Sequence, residues 1–210
     1  MLMTFSWVVL SATFGIQTAA IISAGDFQAI TWAPLVILTS LIFVYVSIFT
    51  VIFGSASFNP TGSAAFYAIG AAGGALAIME FIPEKYKHMI GGPSLQVDVH
   101  TGAIAETILS FGITFAVLLI ILRGPRRLLA KTFLLALATI SFVVAGSKYT
   151  GPAMNPAIAF GWAYMYSSHN TWDHIYVYWI SSFVGALSAA LLFRSIFPPP
   201  RPQKKKQKKA

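Results

Sequence analysis

Two asparagine-proline pairs are the residues of this chain best suited to act on a small polar molecule. They stand in the segments Asn59-Pro60-Thr61 and Asn155-Pro156-Ala157. Asparagine caps the unpaired N–H groups at a helix start, and proline fits the first helical position because it has no N–H to leave unpaired. Inside a membrane, such a start predicts a half-helix whose positive end and asparagine amide face a pore.

Catalytic chemistry has little support in the sequence. The four histidines lack metal-ligand spacing, the chain has no cysteine, and neither a nucleophile elbow nor a glycine-rich phosphate loop occurs. His169, Asp173 and His174 are close together, but Trp172 at the start of an apolar segment favours an interfacial anchor. The sequence therefore predicts a protein that is not an enzyme and that uses no cofactor and no metal ion.

Composition indicates a chain that lies in a lipid bilayer. Of the 210 residues, 57% are hydrophobic and 10% are charged, whereas roughly 25% are charged in soluble domains. A cleavable signal peptide is the alternative for the first apolar segment, but that segment has no basic residues before it and is too long. Six segments approach the roughly 20 residues that a span needs. They are 2–24, 32–53, 60–83, 102–122, 128–144 and 175–197.

The net charge of +8 comes largely from two basic clusters. Six of the last ten residues are Lys or Arg, and Arg123, Arg126 and Arg127 form the second cluster. Basic clusters beside apolar spans mark the cytoplasmic side, so six spans, an even number, place both termini in the cytosol. The basic charge is thus explained by topology, and we expect no nucleic-acid partner. Lys206 and Lys208 resemble a dilysine retrieval signal for the endoplasmic reticulum; a plain polybasic tail is the alternative.

The two halves of the chain have matching spacing before each asparagine. Thr4 precedes Asn59 by 55 positions, and His100 precedes Asn155 by 55 positions. An odd number of spans in each repeat inverts the second copy, so the two half-helices would meet near the membrane centre. This predicts one channel domain over 1–200, with repeat one at 1–98, repeat two at 99–197, and a Pro/Lys-rich cytosolic tail at 198–210.

After the asparagines the symmetry fails. Asn155 to Phe197 covers 42 positions, whereas Asn59 to Ile82 covers 23, so the first half is short by 19. At a rise of about 1.5 Å per residue, the shorter stretch cannot form both a half-helix and a full span. Two outcomes follow. Either Asn59 caps a full span and the first half-helix is lost, or the half-helix forms and the span is too short.

Taken together, these motifs resemble the aquaporins of the major intrinsic protein family, and most closely their plant small basic intrinsic protein branch. Further segments carry the resemblance: Gly151-Pro152-Ala153-Met154, Phe160-Gly161-Trp162-Ala163, Tyr178-Trp179 and Gly185-Ala186. The resemblance implies an all-α membrane protein, a six-span aquaporin-like helical bundle with an inverted repeat, two Asn-Pro half-helices and a shortened first repeat. It also implies a passive channel for water or small neutral solutes, assembled as a homotetramer.

The resemblance implies roles for particular residues. Asn59 and Asn155 would donate amide hydrogens at the pore midplane, and Pro60, Thr61, Pro156 and Ala157 would complete the two motifs. A selectivity constriction would comprise Thr39, Val143, Pro152 and Ile158. Ile158 stands where the family usually has arginine, so this constriction would be apolar and selectivity for water alone is not implied. Glu106 would accept hydrogen bonds from the loop that carries Asn155.

Two other functions remain open. The 19-residue shortfall motivates a non-conducting, shortened variant that acts as a membrane interaction partner. A coupled secondary transporter is weakly supported, because no pair of opposite charges occurs within the predicted spans.

Overall fold

The computed structural model describes residues 2–53 and 60–198, with side chains described for 9–48, 51 and 69–198. Within these ranges the chain is helical and contains no strand. The helices are α1 (Leu2–Ala24), α2 (Ala33–Phe53), α3 (Pro60–Phe81), α4 (Glu84–Lys87), α5 (Val99–Leu122), α6 (Leu128–Gly146), α7 (Pro156–Met165) and α8 (Trp172–Ile196). The predicted all-α fold is confirmed.

Six of these helices have the length of a membrane span. By length and composition, α5, α6 and α8 can cross a membrane, whereas the parts of α1, α2 and α3 with described side chains are shorter apolar helices. In full, these three helices have 23, 21 and 22 residues, and a span needs about 20. The predicted segments therefore match the long helices closely in position.

Large apolar side chains cover the outward faces of α6 and α8. In a protein surrounded by water, a continuous apolar surface would be a liability, whereas lipid is its ordinary environment. Exposed examples are Leu129, Phe133 and Leu137 on α6 and Val184, Leu187 and Leu191 on α8. These faces suit contact with lipid chains.

Helix α3 shows whether the shortened first half forms a half-helix or one full-length helix after Asn59. It begins at Pro60 and continues without a break to Phe81 over 22 residues, which is about 33 Å of helix. The expectation of a separate half-helix after Asn59 therefore needs correction, because the whole stretch is used to build one long helix. Among the described residues the half-helix is α7, which has 10 residues. Asn59 itself lies outside the described residues.

The half-helix α7 packs closely against α3. Ala71 and Ala75 of α3 have no exposed surface, and Trp162 of α7 is buried beside them. A Cβ atom on Gly161 would lie 2.5 Å from the carbonyl carbon of Ala71, so only glycine permits this approach. Small residues at such a contact let two helix backbones come together. Helix α3 is therefore the support on which the half-helix rests.

Helix α5 begins at a well-formed cap and packs along α8. The Asp98 carboxylate accepts hydrogen bonds from the backbone N–H groups of Thr101 and His100, at 3.0 and 3.1 Å. Hydrogen bonding with Thr101, above all, lowers the pKa of Asp98. Further along, a Cβ atom on Gly185 of α8 would lie 2.3 Å from the carbonyl oxygen of Thr107. The cap sets where α5 begins, and the glycine lets α8 approach it closely.

We expect Gly161→Ala to lower the stability of the protein. The added methyl group must displace the backbone of Ala71, and overpacking of this kind costs about 1–3 kcal/mol. Thermal unfolding of the purified protein in detergent measures the effect. Gly15→Ala on α1 is the matched control, because its Cβ meets no atom within 4 Å. Equal melting temperatures for the two variants would contradict the close contact between α7 and α3.

Candidate functional site

The loop at 147–155 turns back into the bundle before α7 begins. Two of its residues, Gly151 and Met154, have the left-handed backbone conformation, with φ of +51° and +48°. A Cβ atom on Gly151 would lie 3.2 Å from the backbone nitrogen of Ser94, so a second loop also passes close to it. Met154 is not a glycine, and its conformation is costly unless the surroundings hold it.

Glu106 of α5 provides that support. Its side chain is completely buried, at 0% exposure. It accepts hydrogen bonds from the Thr150 hydroxyl at 2.8 Å, from the Ser182 hydroxyl at 3.5 Å, and from the backbone N–H of Met154. The carboxylate thus contacts the loop at two points and also contacts α8. The structure brings Glu106 to the loop that carries Asn155.

Tyr178 of α8 holds the same loop from another side. Its hydroxyl donates a hydrogen bond to the backbone carbonyl of Thr150 at 2.8 Å, and the tyrosine is buried. Our sequence reasoning treated Tyr178 only as part of a motif and missed this contact. The available signal was a tyrosine within an apolar span, because a buried tyrosine hydroxyl usually requires a partner.

Asn155 is the cap of α7. Its side-chain oxygen accepts a hydrogen bond from the backbone N–H of Ala157 at 3.0 Å, and its carbonyl accepts from Ile158 at 3.1 Å. The side-chain oxygen is therefore engaged by the helix, while the NH₂ group has no acceptor among the described residues. Asn155 also lines a cavity. The arrangement presents an N–H donor, together with the positive end of a helix, to that cavity.

The cavity has a volume of about 710 Å³ and is bounded by α1, α2, α5, α6, α7 and the adjoining loops. Its walls are mostly apolar and include Val143, Pro152 and Ile158, which the resemblance assigned to a constriction. It holds no Lys, Arg, Asp or Glu among its described lining residues. A space of this kind can accept water or a small neutral molecule, but it offers a cation no charged partner.

Thr39 differs from the other predicted constriction residues. It is not among the residues that line the cavity, and its hydroxyl donates a hydrogen bond to the carbonyl of Leu35 within α2 at 2.7 Å. Leu38 and Ile42 are the residues of α2 nearest it in sequence that reach the cavity wall. The physical reason is the rotation of α2 about its axis, which turns Thr39 away from the cavity.

The remaining predicted residues belong to the two helix starts. Pro156 and Ala157 are the first residues of α7, and Ala157 is buried. Pro60 and Thr61 are the first residues of α3, and their side chains lie outside the described set, as Asn59 does. The structure therefore brings together the second Asn-Pro motif, Glu106 and three of the four constriction residues.

We expect Glu106→Ala to destabilise the protein strongly. The substitution leaves the hydroxyls of Thr150 and Ser182 and the N–H of Met154 without their acceptor, and a buried unpaired donor costs about 1–3 kcal/mol. Thermal unfolding in detergent measures the loss. Glu80→Ala removes an exposed carboxylate and should change stability by less than about 0.5 kcal/mol. Similar melting temperatures for the two variants would contradict the supporting role of Glu106.

Comparison with known proteins gives a consistent result. The family description "Major intrinsic protein" matches residues 2–193. The chain is 92% identical to Aquaporin SIP1-1 of Arabidopsis thaliana over 229 positions, which cover 100% of this chain and 95% of that protein. It is 66% identical to Probable aquaporin SIP1-2 of Arabidopsis thaliana, with 100% and 96% covered. It is 48% identical to Aquaporin SIP1-2 of Zea mays, with 97% and 93% covered.

The alignment with the Arabidopsis thaliana SIP1-1 protein includes a gap in this chain. The whole alignment extends over 229 positions, 19 more than the 210 residues of this chain. An identity of 92% over 229 positions corresponds to about as many identical positions as this chain has residues. The difference between the two proteins therefore lies almost entirely in the gap. Its size equals the shortfall found between the two halves of this sequence.

Proposed function

Because this chain belongs to the major intrinsic protein family, we propose that it is a passive membrane channel for water and small neutral solutes with Asn155 as its midplane donor. The family consists of channels rather than enzymes, and the apolar helices make the chain an integral membrane protein. Water crossing in single file needs a donor that orients its oxygen, and the positive end of α7 repels protons and cations.

The observation that carries this proposal is the fixed orientation of Asn155. Its oxygen caps α7 at the Ala157 N–H, 3.0 Å away, so its NH₂ group remains for a molecule in the cavity. The loop before it is held by the buried Glu106 carboxylate. An amide held in this way can donate a hydrogen bond to each passing water oxygen without rearranging.

The apolar wall supports a channel that is not restricted to water. Val143, Pro152 and Ile158 line the cavity beside the asparagine, and we assign Leu38 and Ile42 the place on α2 that we had expected Thr39 to fill. Because position 158 is isoleucine and not arginine, the constriction has neither a strong donor nor a fixed positive charge. Small neutral solutes with some apolar surface therefore fit this site better than ions do.

A non-conducting membrane interaction partner is the second candidate function. The continuous helix α3 favours it, because Pro60–Phe81 leaves no separate half-helix to complete a symmetric pore. The 19 alignment positions that this chain lacks relative to the Arabidopsis thaliana SIP1-1 protein are consistent with the loss of such an element. That relative, reconstituted in parallel, is the natural positive control for conduction.

The setting of the channel is also part of the proposal. We assign one domain to 1–200, with repeats at 1–98 and 99–197, both termini in the cytosol, and a homotetramer in the endoplasmic reticulum membrane. The basic loop between α5 and α6 and the Lys-rich tail support this orientation. Lys206 and Lys208 of the tail lie outside the described residues. Replacing both lysines with serine and imaging the tagged protein tests the retrieval signal.

We expect Asn155→Ser to reduce water permeability while preserving the fold. Serine caps a helix about as well as asparagine, but it cannot supply the amide donor, and the loss of one hydrogen bond corresponds to about a three- to tenfold change. Stopped-flow light scattering of proteoliposomes measures the osmotic permeability. Asn170→Ser, at an exposed position, is the matched control.

The same experiment separates the two candidate functions. A wild-type permeability above that of protein-free vesicles, reduced by Asn155→Ser and unchanged by Asn170→Ser, supports the channel. If the folded wild-type protein leaves permeability at the protein-free value while the longer Arabidopsis relative raises it, the non-conducting partner is the better description. Equal permeability of wild type and Asn155→Ser, both above the protein-free value, would reject Asn155 as the donor.

A further inference from the structure

Helix α8 contains a π-helical segment, Ile175–Ile180. Such segments are rare, and they are often found at functional sites. Side-chain hydrogen bonds between residues five apart support the wider turn here. The Ser181 hydroxyl donates to the carbonyl of Tyr176 at 2.9 Å, and the Trp179 ring N–H donates to the His174 ring at 3.3 Å. The segment is therefore stabilised by its own side chains.

The π-helical turn changes which residues face the bundle. One extra residue in a turn rotates the remainder of the helix by about 100° relative to a continuous α-helix. In the observed register, Val177 and Tyr178 are buried, with Val177 at 0% exposure. The ring of Tyr178 also lies 5.5 Å from that of His174. This register brings the Tyr178 hydroxyl to the loop that precedes Asn155.

Thr150 receives this contact at a point where three parts of the chain meet. It has no exposed surface. Its carbonyl accepts the hydrogen bond from Tyr178 at 2.8 Å, while its own hydroxyl donates to Glu106 at 2.8 Å. Glu106 in turn accepts from the N–H of Met154, the residue before Asn155. A continuous series of hydrogen bonds thus connects the π-helical turn to Met154, the residue before the asparagine.

We propose that Tyr178 is a positioning residue for permeation, and that the π-helical turn exists to hold its hydroxyl on the Thr150 carbonyl. Tyr178 does not touch the permeating molecule in this proposal. It fixes the height and tilt of the loop, and hence the direction of the Asn155 amide and the width of the cavity beside Pro152. The proposal rests on the proposed channel function for its effect on transport, but its effect on the loop is independent of transport.

Tyr178→Phe tests this inference, with Tyr176→Phe as the matched control. Both substitutions remove one hydroxyl from the same π-helical segment, but the Tyr176 hydroxyl has no hydrogen bond among the described residues. In proteoliposomes of the full chain, we measure the water permeability and the glycerol permeability of each variant. A smaller amount of folded protein would lower both values equally. A displaced loop should change their ratio by about threefold in Tyr178→Phe and leave it unchanged in Tyr176→Phe.

Hydrogen–deuterium exchange of the full chain in detergent gives a second readout that needs no conduction. Peptides covering 147–158 should exchange about threefold faster in Tyr178→Phe than in wild type or Tyr176→Phe. Unchanged exchange in this loop would overturn the inference whatever the transport result. If wild type does not conduct but the loop exchanges faster in Tyr178→Phe, the channel function fails and the positioning contact stands. Faster exchange with an unchanged permeability ratio in a conducting protein would overturn the role in permeation.

Discussion

Glu106 lies in the interior of the helix bundle with none of its surface exposed, and three hydrogen-bond donors compensate for its burial. A carboxylate in such surroundings is costly unless it is well hydrogen-bonded. Here the hydrogen bonds of Glu106 also join three parts of the bundle, because the donors belong to the loop before α7 and to α8, while Glu106 is on α5. The left-handed backbone of Met154 is held by the same contact. The position of Asn155 depends on this group, because Glu106 binds both Thr150 and Met154 of the loop before it.

The second constraint is that the two halves of the chain form different structures after their Asn-Pro pairs. In the second half, the chain returns into the bundle and begins a half-helix of 10 residues. In the first half, the helix that begins at Pro60 uses all 22 residues for one long helix, and α7 packs on that helix through Gly161 and Ala71. The long helix thus takes the place of the half-helix that a symmetric pore would need. It also supports the half-helix α7. Asymmetry of this kind fits the 19 alignment positions absent relative to the Arabidopsis thaliana SIP1-1 protein.

Much of the fold follows from local features that a sequence displays directly. Apolar segments of span length predicted the long helices, and Asn155-Pro156 predicted the start of α7, because capping depends on neighbouring residues. The outcome at Pro60 stayed open, since the length of the segment allowed either a half-helix or a span. Thr39 was assigned to the constriction, whereas Leu38 and Ile42 line the cavity. A helix that is apolar on all sides gives no periodic signal of its rotation. The hydrogen bond from Tyr178 to Thr150 joins residues 28 apart in sequence, so local pattern could not predict it.

In the proposed channel, water crosses the membrane through this chain, past an amide that Glu106 and its partners hold in place. The temperature dependence of osmotic water permeability in proteoliposomes of the full chain tests it most directly. Water in a channel need not dissolve in the hydrocarbon of the bilayer, so the activation energy should fall well below that of protein-free vesicles of the same lipid. A permeability and an activation energy equal to those of protein-free vesicles, with folded protein verified by circular dichroism, would contradict the claim.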